Sequence, residues 1–252
     1  MHEIYTRIDR FSLEFLEQIG AAYAASSNVK NLDTWYRRLD ELTLALQRGT
    51  ATYRQIEDHI FELKVIQYLN VTFPGIGLVY EPQGIVANGR NCDLSANFGG
   101  RDYLIEIKSF HPESRQRAIP AEHIAPNNNV VMDGVSYHYY QATRGHLIDV
   151  VLATEDKITN YQPQFKTVLA VPDGFFLHTE DLRDFVFIYR NNRPRADDPL
   201  GPMTMHNLRR EFSGAITEFW AMPFPQQSFD CTHNRMPTVI APFARDDRPV
   251  AI

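Results

Sequence analysis

Two adjacent glycines, Gly99 and Gly100, separate two strand-like runs in the stretch from Asn91 to Lys108. A two-residue hairpin turn needs positive φ at its centre, which glycine adopts at little steric cost. With the glycines in the turn, the pairing follows by counting outward: Phe98 faces Arg101, Ser95 faces Leu104 and Asp93 faces Glu106. Side chains alternate along a strand, so Lys108 shares the Glu106 face while Ile105 and Ile107 point the other way, into a core. Two carboxylates directly opposite on one face repel unless something positive lies between them. A divalent metal is the expected cation, with Lys108 beside it. The ordinary alternative is a solvated, salt-bridged sheet face, which fits poorly with Leu104 on the same face and two acids in register.

A third acid comes from a helix. Thr52 to Leu69 holds no Gly or Pro and spaces its apolar residues as a helix does. Val65, Ile66 and Leu69 lie three, four and seven residues after Glu62, which places Glu62 in the stripe facing the core. A carboxylate there is costly unless paired or bound to metal. The competing reading is a buried salt bridge to an arginine. Glu57, lying with Lys64 away from that stripe, reads as an ordinary surface acid.

A helical Glu, then Asp, then Glu-x-Lys on the next strand, resembles the PD-(D/E)xK nuclease superfamily. The matching residues are Glu62, Asp93 and the Glu106-Ile107-Lys108 triplet, with Gly77 to Glu81 as the preceding core strand and Lys166 to Pro172 as a later one. Cys92 stands where the motif has Pro. The resemblance implies a restriction-endonuclease-like mixed α/β fold, a central mixed sheet flanked by helices. It implies a catalytic set of Glu62, Asp93, Glu106 and Lys108. Asp93, Glu106 and the Ile107 carbonyl would hold Mg²⁺, with Mn²⁺ as a substitute, and Glu62 would bind a second metal or hold a water of the first. Lys108 would orient or deprotonate the attacking water, or stabilise the developing charge. Elementary chemistry agrees: phosphodiester hydrolysis needs a metal to polarise the phosphate, and hard oxygen donors select Mg²⁺ or Mn²⁺.

Charge complicates the expected partner, double-stranded DNA. The formal net charge is −6, whereas DNA-binding domains usually carry a basic footprint. Local clusters must supply it: Arg115 with Arg117; Arg190, Arg193 and Arg195; Arg209 with Arg210. The 252 residues, 44% hydrophobic and 22% charged, are ordinary for a globular chain. No run of about 18 apolar residues and no apolar leader are visible, so a cytoplasmic location is expected. Cys92 and Cys231, the two cysteines, support no disulfide framework. Cys92 is expected in the core opposite the Asp93 face.

Residues 1–50 read as an N-terminal helical extension and 51–252 as the nuclease core with an irregular C-terminal part. Arg7 to Arg48 reads as two or three helices, with Asn31 or Asp33 as a cap and Gly49 as a stop. The extension is expected to pack on the core, or to mediate a homodimer or position DNA. His111 to Gly134 is a long Pro- and Asn-bearing loop leaving the proposed site. Tyr137 to Tyr161 reads as helical, with Gln141 as a candidate polar contribution to the site. Phe165 to Val171 and Phe185 to Tyr189 read as strands, and Leu208 to Phe219 as a short helix. None of the nine histidines has zinc-ligand spacing, and no Gly-rich phosphate loop or Gly-x-Ser-x-Gly elbow occurs. The expected activity is Mg²⁺-dependent endonuclease cleavage of DNA, with a type II restriction enzyme as one form. The alternatives are a structure-specific repair, resolvase or mobile-element nuclease, and a non-catalytic nucleic-acid- or protein-binding module that retained the fold.

Overall fold

The computed structural model describes residues 13–83, 91–110, 135–158, 164–173, 177–198, 200–223 and 237–242, with backbone alone for 135–142 and for Met203. Among the described residues three helices come first: α1 (Leu13–Ala25), α2 (Leu32–Gln47) and α3 (Tyr53–Thr72). Strands β1 (Gly77–Tyr80), β2 (Leu94–Phe98) and β3 (Arg101–Ile107) follow. Helix α4 (Val135–Ile158) leads to β4 (Lys166–Pro172). Helices α5 (Thr179–Asn191) and α6 (Gly201–Asn207) precede β5 (Glu218–Met222) and β6 (Thr238–Ile240).

The six strands form one mixed sheet in chain order. β1, β2 and β3 run as an antiparallel meander, β4 and β5 are parallel to β3, and β6 closes the far edge antiparallel. Gly99 and Gly100 take φ of 58° and 72°, the double positive φ that the tight turn requires. Both faces of the sheet are covered, which explains why the central strands are apolar on both sides. Ile105, Ile107, Val168, Ala170, Trp220 and Met222 pack with α1, α2 and α3. Leu104, Leu169, Val171, Phe219 and Ala221 pack with α4 and α5.

Helix α3 is the pillar of the first layer. Thr52 caps it with a reciprocal capping box to Gln55. Lys64 on this helix is fully buried and Glu57 half-buried, so the side read as surface is covered. The reason is that α1 and α2 pack on α3, leaving little of its circumference to water. Trp35 of α2 is fully buried; its indole N–H donates to the His59 carbonyl at 2.9 Å, and His59 Nε2 lies 2.8 Å from the Trp35 carbonyl. The two rings stack at 4.9 Å. Asn31 does stand at the start of α2, but in a left-handed conformation without a side-chain cap. Gly49, with φ of 70°, follows the helix end as expected.

Two sequence expectations change in the C-terminal half. Phe185 to Tyr189 lies within helix α5, not a strand. Its β-branched and aromatic content suggests a strand, yet Leu182, Phe185, Val186 and Tyr189 repeat at helical spacing and are buried, together with Ile188. The short helix is at Gly201–Asn207, while 208–217 is irregular and Glu218–Met222 is a strand. The buried Glu155 of α4 organises that irregular segment, accepting from Tyr189 Oη at 2.8 Å and from the N–H groups of Ser213, Gly214 and Ala215 at 2.8, 2.9 and 3.2 Å. The expected loop from His111 to Gly134 and Cys231 lie outside the described residues. Among the described residues, no helix is long and apolar enough to cross a membrane.

Trp35→Ala should cost about 3–5 kcal/mol, the scale of an emptied aromatic site, and urea unfolding should stay a single transition because α2 shares its core with the sheet. A separate, earlier transition confined to the N-terminal helices would show that they fold as an independent unit.

Candidate functional site

The register of β2 and β3 brings the acids together. Phe98 pairs with Arg101, Ser95 with Leu104, and Leu94 with Ile105. Asp93 lies one residue beyond the ladder, in a bend. Consecutive N–H groups on a strand point to opposite sides. The Lys108 N–H goes to the Ala170 carbonyl on the β4 side at 2.9 Å. The Ile107 N–H therefore faces β2, where the ladder has ended, and Asp93 Oδ2 accepts it at 2.7 Å. The Glu81 N–H in turn holds the Asp93 carbonyl at 3.0 Å.

Glu106 is fully buried, beside Asp93 and under α4. Lys108 Nζ lies 3.5 Å from Glu106 Oε2 and 3.6 Å from Asp93 Oδ2, with its side chain 34% exposed. A second lysine, absent from the sequence reading, sits closer. Lys157, the penultimate residue of α4, places Nζ 2.7 Å from Glu106 Oε2 and 3.1 Å from Asp93 Oδ1. The position between the two carboxylates, where a divalent metal is expected, holds an ammonium contributed by a helix 51 residues away in sequence. Lys157 stands seven residues after Val150 and three after Thr154, on the border of the buried stripe of α4. That position was a legible signal, although basic residues near a helix C-terminus usually answer the helix dipole. The Gln141 side chain lies outside the described residues.

Glu62 reaches the same end of the sheet from α3. Tyr80 Oη, on the last residue of β1, donates to Glu62 Oε2 at 2.7 Å, and His59 Nδ1 lies 3.2 Å from that oxygen. The arginine of the competing reading acts one step removed: Arg38 pairs with Glu81 and hydrogen-bonds Tyr80. Burial first, then the Glu62 charge, pushes the Tyr80 hydroxyl far above its usual range, which keeps it a donor. The Glu62 charge also acts on Lys108. One turn before Glu62, Asp58 accepts from Ser109 Oγ and ties α3 to the residue after Lys108. Cys92 is buried as expected, but in the layer of Leu104 and α4, on the Glu106 side. The chain is not extended at Asp93, so alternation fails there. Burial and then the charges of Glu106 and Asp93 raise the Cys92 thiol to about 12.

Burial is the largest influence on Glu106, followed by the Asp93 charge; together they push its carboxyl up to about 7 despite both lysines. Asp93 goes the other way: burial would raise it, but Lys108, Lys157 and the Ile107 N–H outweigh that and hold it low. Burial would lower Lys108 and Lys157, yet the two acids keep both above their usual value. One acid of the pair is therefore firmly ionised and the other poised near neutrality, a division that often marks functional sites.

Among the described residues no three Asp, Glu, His or Cys side chains form a ready metal cage. The donors that fit a hard divalent cation are Asp93 and Glu106, each offering an oxygen to the one position now taken by the Lys157 ammonium. Ile107 contributes its N–H to Asp93. Of the arginines considered for DNA, Arg210 pairs with Asp156 and with the Leu152 carbonyl, and Arg195 lies 4.6 Å over the Phe187 ring. Arg190, Arg193 and Arg209 are exposed; Arg115 and Arg117 lie outside the described residues.

The raised Glu106 sets a pH dependence. Between the ordinary glutamate value of 4.5 and about 7 the folded chain binds more protons than the unfolded chain, so stability should fall as pH rises through that window. Asp93 acts lower: its stabilisation is present above the ordinary 3.8 and lost as pH falls through its depressed folded value. Glu106→Gln should flatten the upper window alone. Urea midpoints of EDTA-treated wild type and variant across both windows test this, and a wild-type midpoint that rises between 4.5 and 7 with no change in the variant would contradict it.

Comparisons with known protein-family models, curated proteins and solved structures found no match, so the reading of the site rests on its residues and their geometry.

Proposed function

We propose that the chain is a metal-dependent endodeoxyribonuclease of the PD-(D/E)xK kind, with a restriction-endonuclease-like core. The observation that carries this is the convergence of Asp93, Glu106 and Lys108 at one end of the sheet, with Glu62 arriving there from α3. The meander β1–β2–β3, the crossing helix α4 and the parallel β4 are consistent with such a core. Sites of open α/β sheets commonly lie beyond the carboxyl ends of their strands, as this one does for β3.

In this reading Asp93 and Glu106 would hold Mg²⁺ or Mn²⁺, whose chemistry when bound would be to polarise the scissile phosphate. Asp93 is pre-ionised for that task by its lysines and by the Ile107 N–H. Glu106 must give up its proton before it can ligate, so metal uptake should strengthen with pH up to about 7. Lys108, looser and more exposed than Lys157, faces the substrate side and orients the attacking water or stabilises charge on the phosphate. Tyr80 and His59 position Glu62, which would help to hold a second metal or a water of the first.

The first test is digestion of supercoiled plasmid with Mg²⁺, with Mn²⁺ and with EDTA. Nicking or linearisation should require metal and disappear in Asp93→Asn. Discrete fragments from a long DNA would identify sequence-specific restriction; cleavage confined to branched or damaged DNA would identify a structure-specific nuclease. One observation favours a second reading. Lys157 bridges the two carboxylates as in a purely structural ion cluster, the arrangement a non-catalytic binding module would keep. Wild-type protein that binds DNA without metal-dependent cleavage would favour that module.

Lys108→Ala should leave Mn²⁺ affinity and DNA binding near wild type while slowing the chemical step roughly 10²-fold or more, the scale of a lost general base or charge stabiliser. Single-turnover cleavage at saturating enzyme isolates that step. A normal rate there would remove Lys108 from the chemistry. Lys108→Arg should restore little, because a guanidinium is planar, larger and always protonated.

A further inference from the structure

We infer that Lys157 is the built-in counter-ion of this site, a tethered ammonium that competes with the divalent metal for the position between Asp93 and Glu106. The inference deepens the proposed function and rests on it. Its starting point is the inequality of the two lysines. Lys157 Nζ makes two charge-assisted hydrogen bonds, at 2.7 Å to Glu106 and 3.1 Å to Asp93. Lys108 Nζ approaches the same acids at 3.5 and 3.6 Å, at the margin of hydrogen-bond distance. Lys157 also contacts one oxygen from each acid, which is how a single small cation would be shared.

Charge balance gives the arrangement its consequence. With both acids ionised, two carboxylates and two ammoniums cancel, so a divalent ion entering the cluster gains little attraction until one ammonium withdraws. Lys108 follows β3 directly, its N–H fixed to the Ala170 carbonyl. Lys157 hangs from the end of α4, one residue before the helix stops, and its side chain is 23% exposed. It has the tighter grip on the acids, while Lys108, 34% exposed, is the more open of the two to water. Its ammonium keeps Glu106, which is fully buried, from facing Asp93 unscreened when no metal is bound, at the expense of metal affinity.

Lys157→Met removes the charge and keeps an apolar stem of similar length. Calorimetric titration with Mn²⁺ should then show affinity raised roughly tenfold or more, because a net negative charge is left on the ligands at close range. Lys108→Met should gain less. Wild type that binds Mn²⁺ with no gain in Lys157→Met would overturn the counter-ion role and leave the metal site standing. Failure of both proteins to bind would overturn the metal site as well, and binding by Lys157→Met alone would support the inference. A measurement on unmutated protein covers the case in which the variant does not fold. Saturating Mn²⁺ should increase acetylation of Lys157 by acetic anhydride, read by mass spectrometry, by severalfold relative to EDTA. Equal labelling in Mn²⁺ and EDTA, in protein shown to bind Mn²⁺, would mean that the ammonium does not withdraw.

Discussion

The register of β2 against β3 is the constraint on which the site depends. It is set by the positive φ of Gly99 and Gly100, because a two-residue turn leaves no slack in the pairing that follows. The ladder runs out after Leu94 and Ile105, and one main-chain donor, the Ile107 N–H, is left facing the place where β2 has turned away. Asp93 supplies the missing acceptor with its side chain. A slip of one residue would turn Glu106 to the α3 layer and Ile107 to the α4 layer, and Asp93 would lose its donor. The same turn therefore specifies both the core pattern of β3 and the meeting of the two acids.

Burying Glu106 completely is the costly step, and the cluster around it offsets the cost without removing it. An ionised carboxylate taken out of water needs strong partners. The ammonium of Lys157 is one, and that of Lys108 another. They are not sufficient to bring the Glu106 carboxyl back to its ordinary range, because burial and Asp93 act against them. Removing a partner from such a cluster is expected to be far more damaging than the net worth of the ion pairs suggests. Asp93 experiences the same lysines with the added Ile107 N–H, and for it the balance tips towards the charged form. The two neighbouring acids thus differ in protonation because burial and the Asp93 charge prevail at Glu106, whereas the two lysines and the Ile107 N–H outweigh burial at Asp93.

The N-terminal helices take part in the placement of Glu62. Trp35 locks His59 through reciprocal main-chain contacts and ring stacking. His59 and Tyr80 then fix one oxygen of Glu62, and Arg38 of α2 steadies Tyr80 and Glu81 at the end of β1. The helices before α3 thus hold an acid at the sheet end as well as covering the core, since Leu16, Trp35 and Leu39 belong to the same apolar cluster as Ile105 and Val168.

The local features of this chain were legible in its sequence. The diglycine turn, the β2–β3 pairing, helix α3 and strand β4 follow from backbone preference and short-range periodicity, which act between near neighbours. Glu62, Asp93, Glu106 and Lys108 could be named because turn geometry and helical spacing align them within about one element each. Tertiary structure alone decided the rest. Lys157 lies 51 residues from Glu106 in sequence, and only the packing of α4 on the Leu104 face brings it there. Helix α5 carries residues with strand preference, yet its apolar stripe is buried against Phe212 and Phe219 as a helix. Lys64 reads as a surface charge until α1 and α2 are packed on α3. In each case the deciding contact is long-range, and one-dimensional pattern holds no record of which surfaces will meet.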